Sequence, residues 1–191
     1  SFNEITGIYN ILFTLGEYSQ AKSLLDSTST SYDFSWEYKS MLLKVEQRLI
    51  DTNSDVDIAD KDYYSLFMSN FNKLGDFKEC LFGQLDFINN LIWIGTRIKN
   101  NEDLFNKLIL PINHLLSGIE KTLSLSSIYS IPPNKVWHFH NNSANFYERM
   151  LEFNPGNQDY LKNAINHYYK SINVHNTDVK WLSGSLINYA M

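Results

Sequence analysis

Residues 15–25 read LGEYSQAKSLL, and residues 74–85 read LGDFKECLFGQL. Both stretches carry Leu-Gly, an acidic residue, an aromatic residue and, after two polar positions, a small residue. Each follows one apolar periodic segment and precedes another, so Gly16 and Gly75 are predicted to end a helix in a left-handed conformation. The small residues Ala21 and Cys80 would then let the next helix pack closely against the first. The duplicated phrase predicts a stack of helical hairpins.

Apolar residues recur at three- and four-residue spacing through most of the 191 residues. This period predicts an all-α fold, an irregular antiparallel helical-hairpin array of about eight to ten helices. The most apolar segment, residues 77–98, has apolar side chains on more than one face, so we expect it at the centre of the stack. Because Gln84, Asp86, Asn89 and Asn90 interrupt this segment, we expect no membrane span.

Three stretches lack this periodicity and are predicted to connect helices. They are the Ser/Thr run 26–31, the acidic stretch 51–61 and residues 124–134, which contain two prolines. The acidic stretch alternates Asp and Asn like a calcium loop. It has Val56 and Asp62 where such a loop needs Gly and Glu, so a capped, solvated loop is favoured. Pro111 is expected either to kink a helix or to start a new one.

The domain organisation predicted from this pattern is a single helical-repeat domain over residues 1–191, with a sub-boundary near 124–134. Residues 181–191 read as one more helix, and no polar capping helix follows them. Because stacked repeats need such a cap, we expect the chain to be a segment of a longer protein.

Charge and cysteine content limit the classes of function. A net charge of −5 without a Lys/Arg run longer than two residues argues against nucleic-acid binding. The single cysteine, Cys80, cannot form an internal disulfide, and no signal peptide is evident. These features favour an intracellular protein.

The residues around the corners resemble the tetratricopeptide repeat (TPR) family over about half of the chain. The positions that fit that family's pattern of glycine, aromatic and small residues are Gly16, Tyr18, Ala21, Leu25, Gly75, Phe77, Cys80, Leu161, Ala164, Tyr168, Ser171 and, in a following repeat, Trp181. The resemblance implies a right-handed α-solenoid that binds a protein partner. Gln84 departs from the pattern, and Gly16 and Gly75 lie 59 residues apart, which is not a multiple of the family's repeat of about 34 residues.

A second resemblance concerns Trp137-His138-Phe139-His140 and the helical pattern after it. This segment is similar to the irregular helical collars of giant kinases related to phosphatidylinositol 3-kinase. The resemblance implies an alternative function, in which the chain is the regulatory collar of a larger enzyme of kinase or protease type.

Catalytic chemistry has little support in the sequence. His138 and His140 would suit a metal ion on an extended segment, but on a helix they point to different faces. No nucleophile elbow, phosphate-binding loop or dinucleotide fingerprint is present. An all-α metal-dependent enzyme that uses His138 and His140 therefore stays only as an alternative, and we expect neither a metal nor a cofactor.

The function predicted from the sequence is a non-catalytic scaffold that holds a peptide, a helix or a neighbouring domain. Aromatic side chains serve as anchors, and an Asn side chain can donate to and accept from a peptide backbone at once. The residues chosen for the partner-binding face are Trp137, His138, His140, Asn141, Tyr147, His167 and Tyr168.

Overall fold

The computed structural model describes residues 1–32, 35–74, 84–124 and 131–174. Within these ranges the chain forms eight α-helices and no β-strand. The helices are α1 (Phe2–Thr14), α2 (Tyr18–Tyr32), α3 (Trp36–Asn53), α4 (Val56–Leu74), α5 (Leu85–Thr96), α6 (Glu102–Ser124), α7 (Pro133–Phe153) and α8 (Gln158–Ile172). The all-α prediction is confirmed, whereas the right-handed, TPR-like arrangement stays a prediction.

The first Leu-Gly corner has the predicted structure. Gly16 joins α1 to α2 with φ of +80°, a left-handed conformation that favours glycine. The ring of Tyr18 packs edge-on against Phe13 across the corner, and Ala21 is fully buried. The second corner, with Gly75, Phe77 and Cys80, lies outside the described residues, as does Trp181.

Helix α5 lies at the centre of the fold, as its apolar sequence predicted. It contacts α3, α4, α6 and α7, and Ile88, Leu91, Ile92 and Ile94 on it are fully buried. The other substantial contacts also join helices that are adjacent or next-but-one along the chain. One core surrounds α5, and a smaller one lies between α1, α2 and α3.

Close packing around α5 depends on Gly95. A Cβ atom placed on Gly95 would lie 2.8 Å from Ile112 Cδ1 of α6 and 3.3 Å from the Phe67 ring of α4. Both neighbouring side chains are fully buried. Glycine therefore lets three helices approach one another at this point.

The prediction that residues 26–31 form a connection was wrong, because α2 continues to Tyr32. The hydroxyl groups of Ser27, Thr28 and Ser29 donate to carbonyl oxygens three or four residues earlier. These bonds satisfy the hydroxyls within the helix, while Leu25 is buried on its inner face.

The acidic stretch 51–61 is also mostly helical, not the predicted loop, since α3 ends at Asn53 and α4 begins at Val56. Asp51 lies 3.1 Å from the Arg97 guanidinium and accepts from the Tyr63 hydroxyl. Asp60, only 5% exposed, accepts from the backbone N–H groups of Lys99 (3.1 Å) and Asn100 (2.7 Å). These carboxylates fasten the acidic stretch to the end of α5.

Pro111 lies inside the continuous helix α6 and does not start a new one. Helix α6 ends at Ser124, and α7 begins at Pro133. The predicted break at 124–134 thus falls between two helices, although residues 125–130 lie outside the described residues.

Candidate functional site

The seven residues predicted to bind a partner lie on the last two described helices, where the helical period separates them into two sets. Trp137, His138 and Asn141 face a groove, and the others lie between α7 and α8, namely His140, Tyr147, His167 and Tyr168. His138 and His140 do not converge on one point, in agreement with the expectation for an i, i+2 pair on a helix.

His140 and His167 meet across the α7–α8 interface, with their Nδ1 atoms 3.2 Å apart. The Tyr147 ring stacks on His167 with a centroid separation of 5.8 Å. Burial lowers the pKa of His140 to about 3, assisted by the charges of His167 and Lys170, and burial lowers the pKa of His167 to about 4. Both rings are therefore neutral at neutral pH, so one Nδ1 donates and the other accepts.

Tyr168 also belongs to the interface between the two helices. Its hydroxyl donates to Glu148 Oε2 at 2.8 Å and lies 2.9 Å from Asn145 Oδ1. Burial and the Glu148 carboxylate together raise the pKa of Tyr168 above its ordinary value. The polar atoms of this set are thus used to fix α8 on α7.

The remaining three predicted residues open onto a groove of about 550 Å³, a volume typical of ligand sites. We call it the α3–α5–α7 groove, because these helices supply all but one of its lining residues. Helix α1 adds only Phe13. The lining residues are Lys44, Gln47 and Arg48 of α3, Asp86, Asn89, Asn90 and Trp93 of α5, and Trp137, His138, Asn141 and Asn142 of α7.

Helix α5 presents a polar face to this groove, since Asp86, Asn89, Asn90 and Trp93 follow the i, i+3, i+4, i+7 spacing of one helix face. Asn89 is 3% exposed, yet neither Oδ1 nor Nδ2 has a hydrogen-bond partner in the described part of the chain. The same holds for Asn90 Nδ2. Leaving a buried amide unpaired is costly, so a group that supplies both a donor and an acceptor would stabilise these atoms.

Asn142 fixes α7 against the same face of α5. Its Nδ2 donates to the backbone carbonyl oxygen of Asn89 at 2.8 Å. Lys135 of α7 forms an ion pair with Asp86 of α5. Burial lowers the pKa of His138 to about 4, so its ring is neutral at neutral pH. These polar contacts join α5 to α7 beside the groove and do not use the Asn89 side chain.

The chemistry available here is hydrogen bonding, ring stacking and ion pairing. Among residues 1–32, 35–74, 84–124 and 131–174, no three His, Cys, Asp or Glu side chains are grouped so that they could hold a metal ion. The same ranges contain no helix that is both long and apolar enough to cross a membrane.

Sequence reasoning missed Lys44, Asn89, Asn90 and Trp93 as candidate binding residues. A signal for the two asparagines was present, because Asp86, Asn89 and Asn90 interrupt an otherwise apolar helix on one side. The same pattern argues against a membrane span. Lys44 carried no such signal, since its position depends on how α3 packs on α5.

Comparison of the chain with models of protein families, with curated proteins and with solved structures found no match.

Proposed function

We propose that the protein is a non-catalytic scaffold that holds an extended segment of a partner protein in the α3–α5–α7 groove. The observation that carries this proposal is the Asn89 side chain, which is 3% exposed, lines the groove and has no hydrogen-bond partner among the described residues.

A peptide backbone suits this amide better than most ligands. One peptide unit offers an N–H donor and a C=O acceptor, and an Asn side chain offers the complementary acceptor and donor. Trp93 and Trp137 lie on neighbouring helices of the same groove. Tryptophan is a common anchor residue at binding sites, so these two rings would contact apolar side chains of the bound segment.

The helices that line the groove support the scaffold proposal further. They are α1, α3, α5 and α7, that is, every second helix along the chain, and α5 contacts both α3 and α7. In an array of helical hairpins one helix of each pair faces the inner surface, which is where such arrays bind partners. The proposal therefore retains the hairpin array as its architecture, with α1, α3, α5 and α7 as the inner helices.

The test begins with selection of short randomised peptides on the immobilised chain, followed by synthesis of the enriched sequences. Their dissociation constants are measured by fluorescence anisotropy for the wild type and for Asn89→Leu. The matched control is Asn106→Leu, on the exposed side of α6.

We expect Asn89→Leu to weaken binding at least about tenfold, because a hydrogen-bonded peptide unit would face a side chain that cannot pair with it. Asn106→Leu should bind as the wild type does. Equal affinities of the wild type and Asn89→Leu for every enriched peptide would contradict the proposal, as would a selection that enriches nothing.

A further inference from the structure

We infer that the α3–α5–α7 groove selects an acidic side chain within the bound segment and that Lys44 pairs with this carboxylate. The inference rests on the proposed function, since it names the chemistry of the segment that the groove would hold.

Lys44 is a half-buried cation that lines the groove from α3. No carboxylate oxygen of the described residues lies within 4.0 Å of its Nζ. Burial also lowers the pKa of Lys44, an effect that the charge of Asp86 opposes. A cation held partly away from water without a partner is stabilised when an anion binds beside it.

The other charged groups of the groove already have partners. Asp86 forms an ion pair with Lys135, and Arg48 lies 3.4 Å from Asp51. Two cations and one carboxylate line the groove, which leaves a positive excess there, although the chain as a whole carries a net charge of −5. The local charge of the groove is therefore opposite to that of the protein and complementary to an acidic ligand.

The neighbouring polar atoms on α5 fit a carboxylate inside a peptide chain. Asn90 Nδ2 is a buried donor without a partner among the described residues, and a carboxylate accepts several hydrogen bonds at once. Asn89 Oδ1 is an acceptor that needs an N–H group. An acidic residue within a segment supplies the side-chain carboxylate together with backbone N–H groups on both sides, so it can satisfy both asparagines.

The experiment uses peptides from the selection above, synthesised with acetylated amino and amidated carboxyl ends. Each acidic residue is replaced in turn by its amide, Glu by Gln and Asp by Asn. Affinities are measured for the wild type, Lys44→Met, Lys44→Arg and the control Lys162→Met, which removes an exposed lysine from α8. Circular dichroism and urea unfolding establish that each variant is folded.

We expect one acid-to-amide replacement to weaken binding to the wild type about tenfold, the usual scale for a hydrogen bond to a charged group. For Lys44→Met the acidic and amide peptides should bind equally. Lys44→Arg should retain most of the preference for the acidic peptide over the amide peptide, and Lys162→Met should retain all of it. Added salt should weaken binding of the acidic peptide to the wild type more than binding of the amide peptide.

The outcomes separate this inference from the proposed function. If the wild type binds acidic and amide peptides equally while Asn89→Leu still loses binding, the inference fails and the proposed function stands. If amidation of the carboxyl end alone abolishes binding, the group that is bound is the terminal carboxylate, and the inference also fails. If the wild type binds no peptide, both fail. The comparison of the two peptides on the wild type needs no variant, so a Lys44 variant that does not fold cannot obscure the result.

Discussion

His140 Nδ1 lies 3.2 Å from His167 Nδ1, so the contact between α7 and α8 contains two imidazole rings that share one hydrogen bond. Burial, together with the positive charge of Lys170 nearby, holds the pKa of both rings well below the ordinary value of 6.5. The interface consequently favours the neutral form of both histidines.

This pair predicts a pH dependence of stability. The folded-state pKa values, about 3 and about 4, lie below 6.5, so the unfolded chain binds more protons than the folded chain between these limits. The stability that the neutral pair supplies is therefore complete above about pH 7 and is lost as the pH falls toward 3. Between about pH 7 and about pH 5, the free energy of unfolding in urea should fall by about 4 kcal/mol less for His140→Leu/His167→Leu than for the wild type, because each histidine contributes about 2 kcal/mol.

The carboxylates and His138 are present in the wild type and in every variant. Their contribution to the pH dependence of stability therefore cancels when the free energies of unfolding are compared. His114→Gln, at an exposed position on α6, is the control for removal of a histidine that lies outside the α7–α8 interface. Parallel curves for the double variant and the wild type would show that the histidine pair does not contribute.

Asn89→Leu is expected to stabilise the unliganded protein. The substitution removes a buried amide that has no partner among the described residues, and it leaves intact the backbone carbonyl oxygen of Asn89 that Asn142 contacts. The free energy of unfolding in urea should rise by about 1 kcal/mol. A loss of stability would mean that the amide is paired in the free protein and is not held in reserve for a ligand.

Gly95→Ala is expected to destabilise the junction of α4, α5 and α6. The added methyl group meets Ile112 Cδ1 and the Phe67 ring, both buried, at distances that force a shift. We expect the free energy of unfolding to fall by about 1 kcal/mol. Overpacking costs about 1–3 kcal/mol, whereas the higher helix propensity of alanine contributes only about 1 kcal/mol.

Ile112→Val provides the corresponding rescue, since it removes the Cδ1 atom that lies 2.8 Å from the added methyl group. The double variant Gly95→Ala/Ile112→Val should lose less free energy of unfolding than the two single variants lose together, by at least about 0.5 kcal/mol. Gly7→Ala, where a Cβ atom has nothing within 4 Å, serves as the helix-propensity control and should be stabilising. If the effects of Gly95→Ala and Ile112→Val on the free energy of unfolding are strictly additive, the proposed clash is excluded.

Asp60→Ala is expected to weaken the attachment of the α5–α6 connection to α4. It removes the acceptor for the N–H groups of Lys99 and Asn100 and leaves both donors unpaired, at a cost of about 2 kcal/mol in urea unfolding. Asp60→Asn keeps one acceptor and should lose less. Glu120→Ala, an exposed change on α6, should stay within about 0.5 kcal/mol of the wild type. An equal effect of the Asp60 and Glu120 substitutions would argue against this role for Asp60.

The features predicted correctly from the sequence depend on neighbours along the chain. Gly16 ends a helix because of its own backbone freedom, and α5 is central because its own apolar side chains lie on more than one face. The error at residues 51–61 arose because distant residues decide the outcome there. Asp60 looked like a loop residue until its partners at the end of α5 were known, 39 and 40 residues away.

The candidate site was only partly predictable for the same reason. Trp137, His138 and Asn141 were identified and do line the groove, whereas His140 and His167 were assigned to the same face and instead contact each other. The sequence shows which side chains can bind. Which of them are left without a partner depends on how α3, α5 and α7 pack together.

The substantial contacts join helices that are adjacent or next-but-one along the chain, so each helix can pack soon after it is synthesised. Contacts between helices that are close along the chain close only short loops. Little conformational entropy is lost in forming them, so folding should be fast. The groove is different, because α7 supplies one of its walls and comes late in the chain. A nascent chain would thus lack one wall of the groove until α7, which also contributes Phe139, Phe146 and Met150 to the core, had been synthesised.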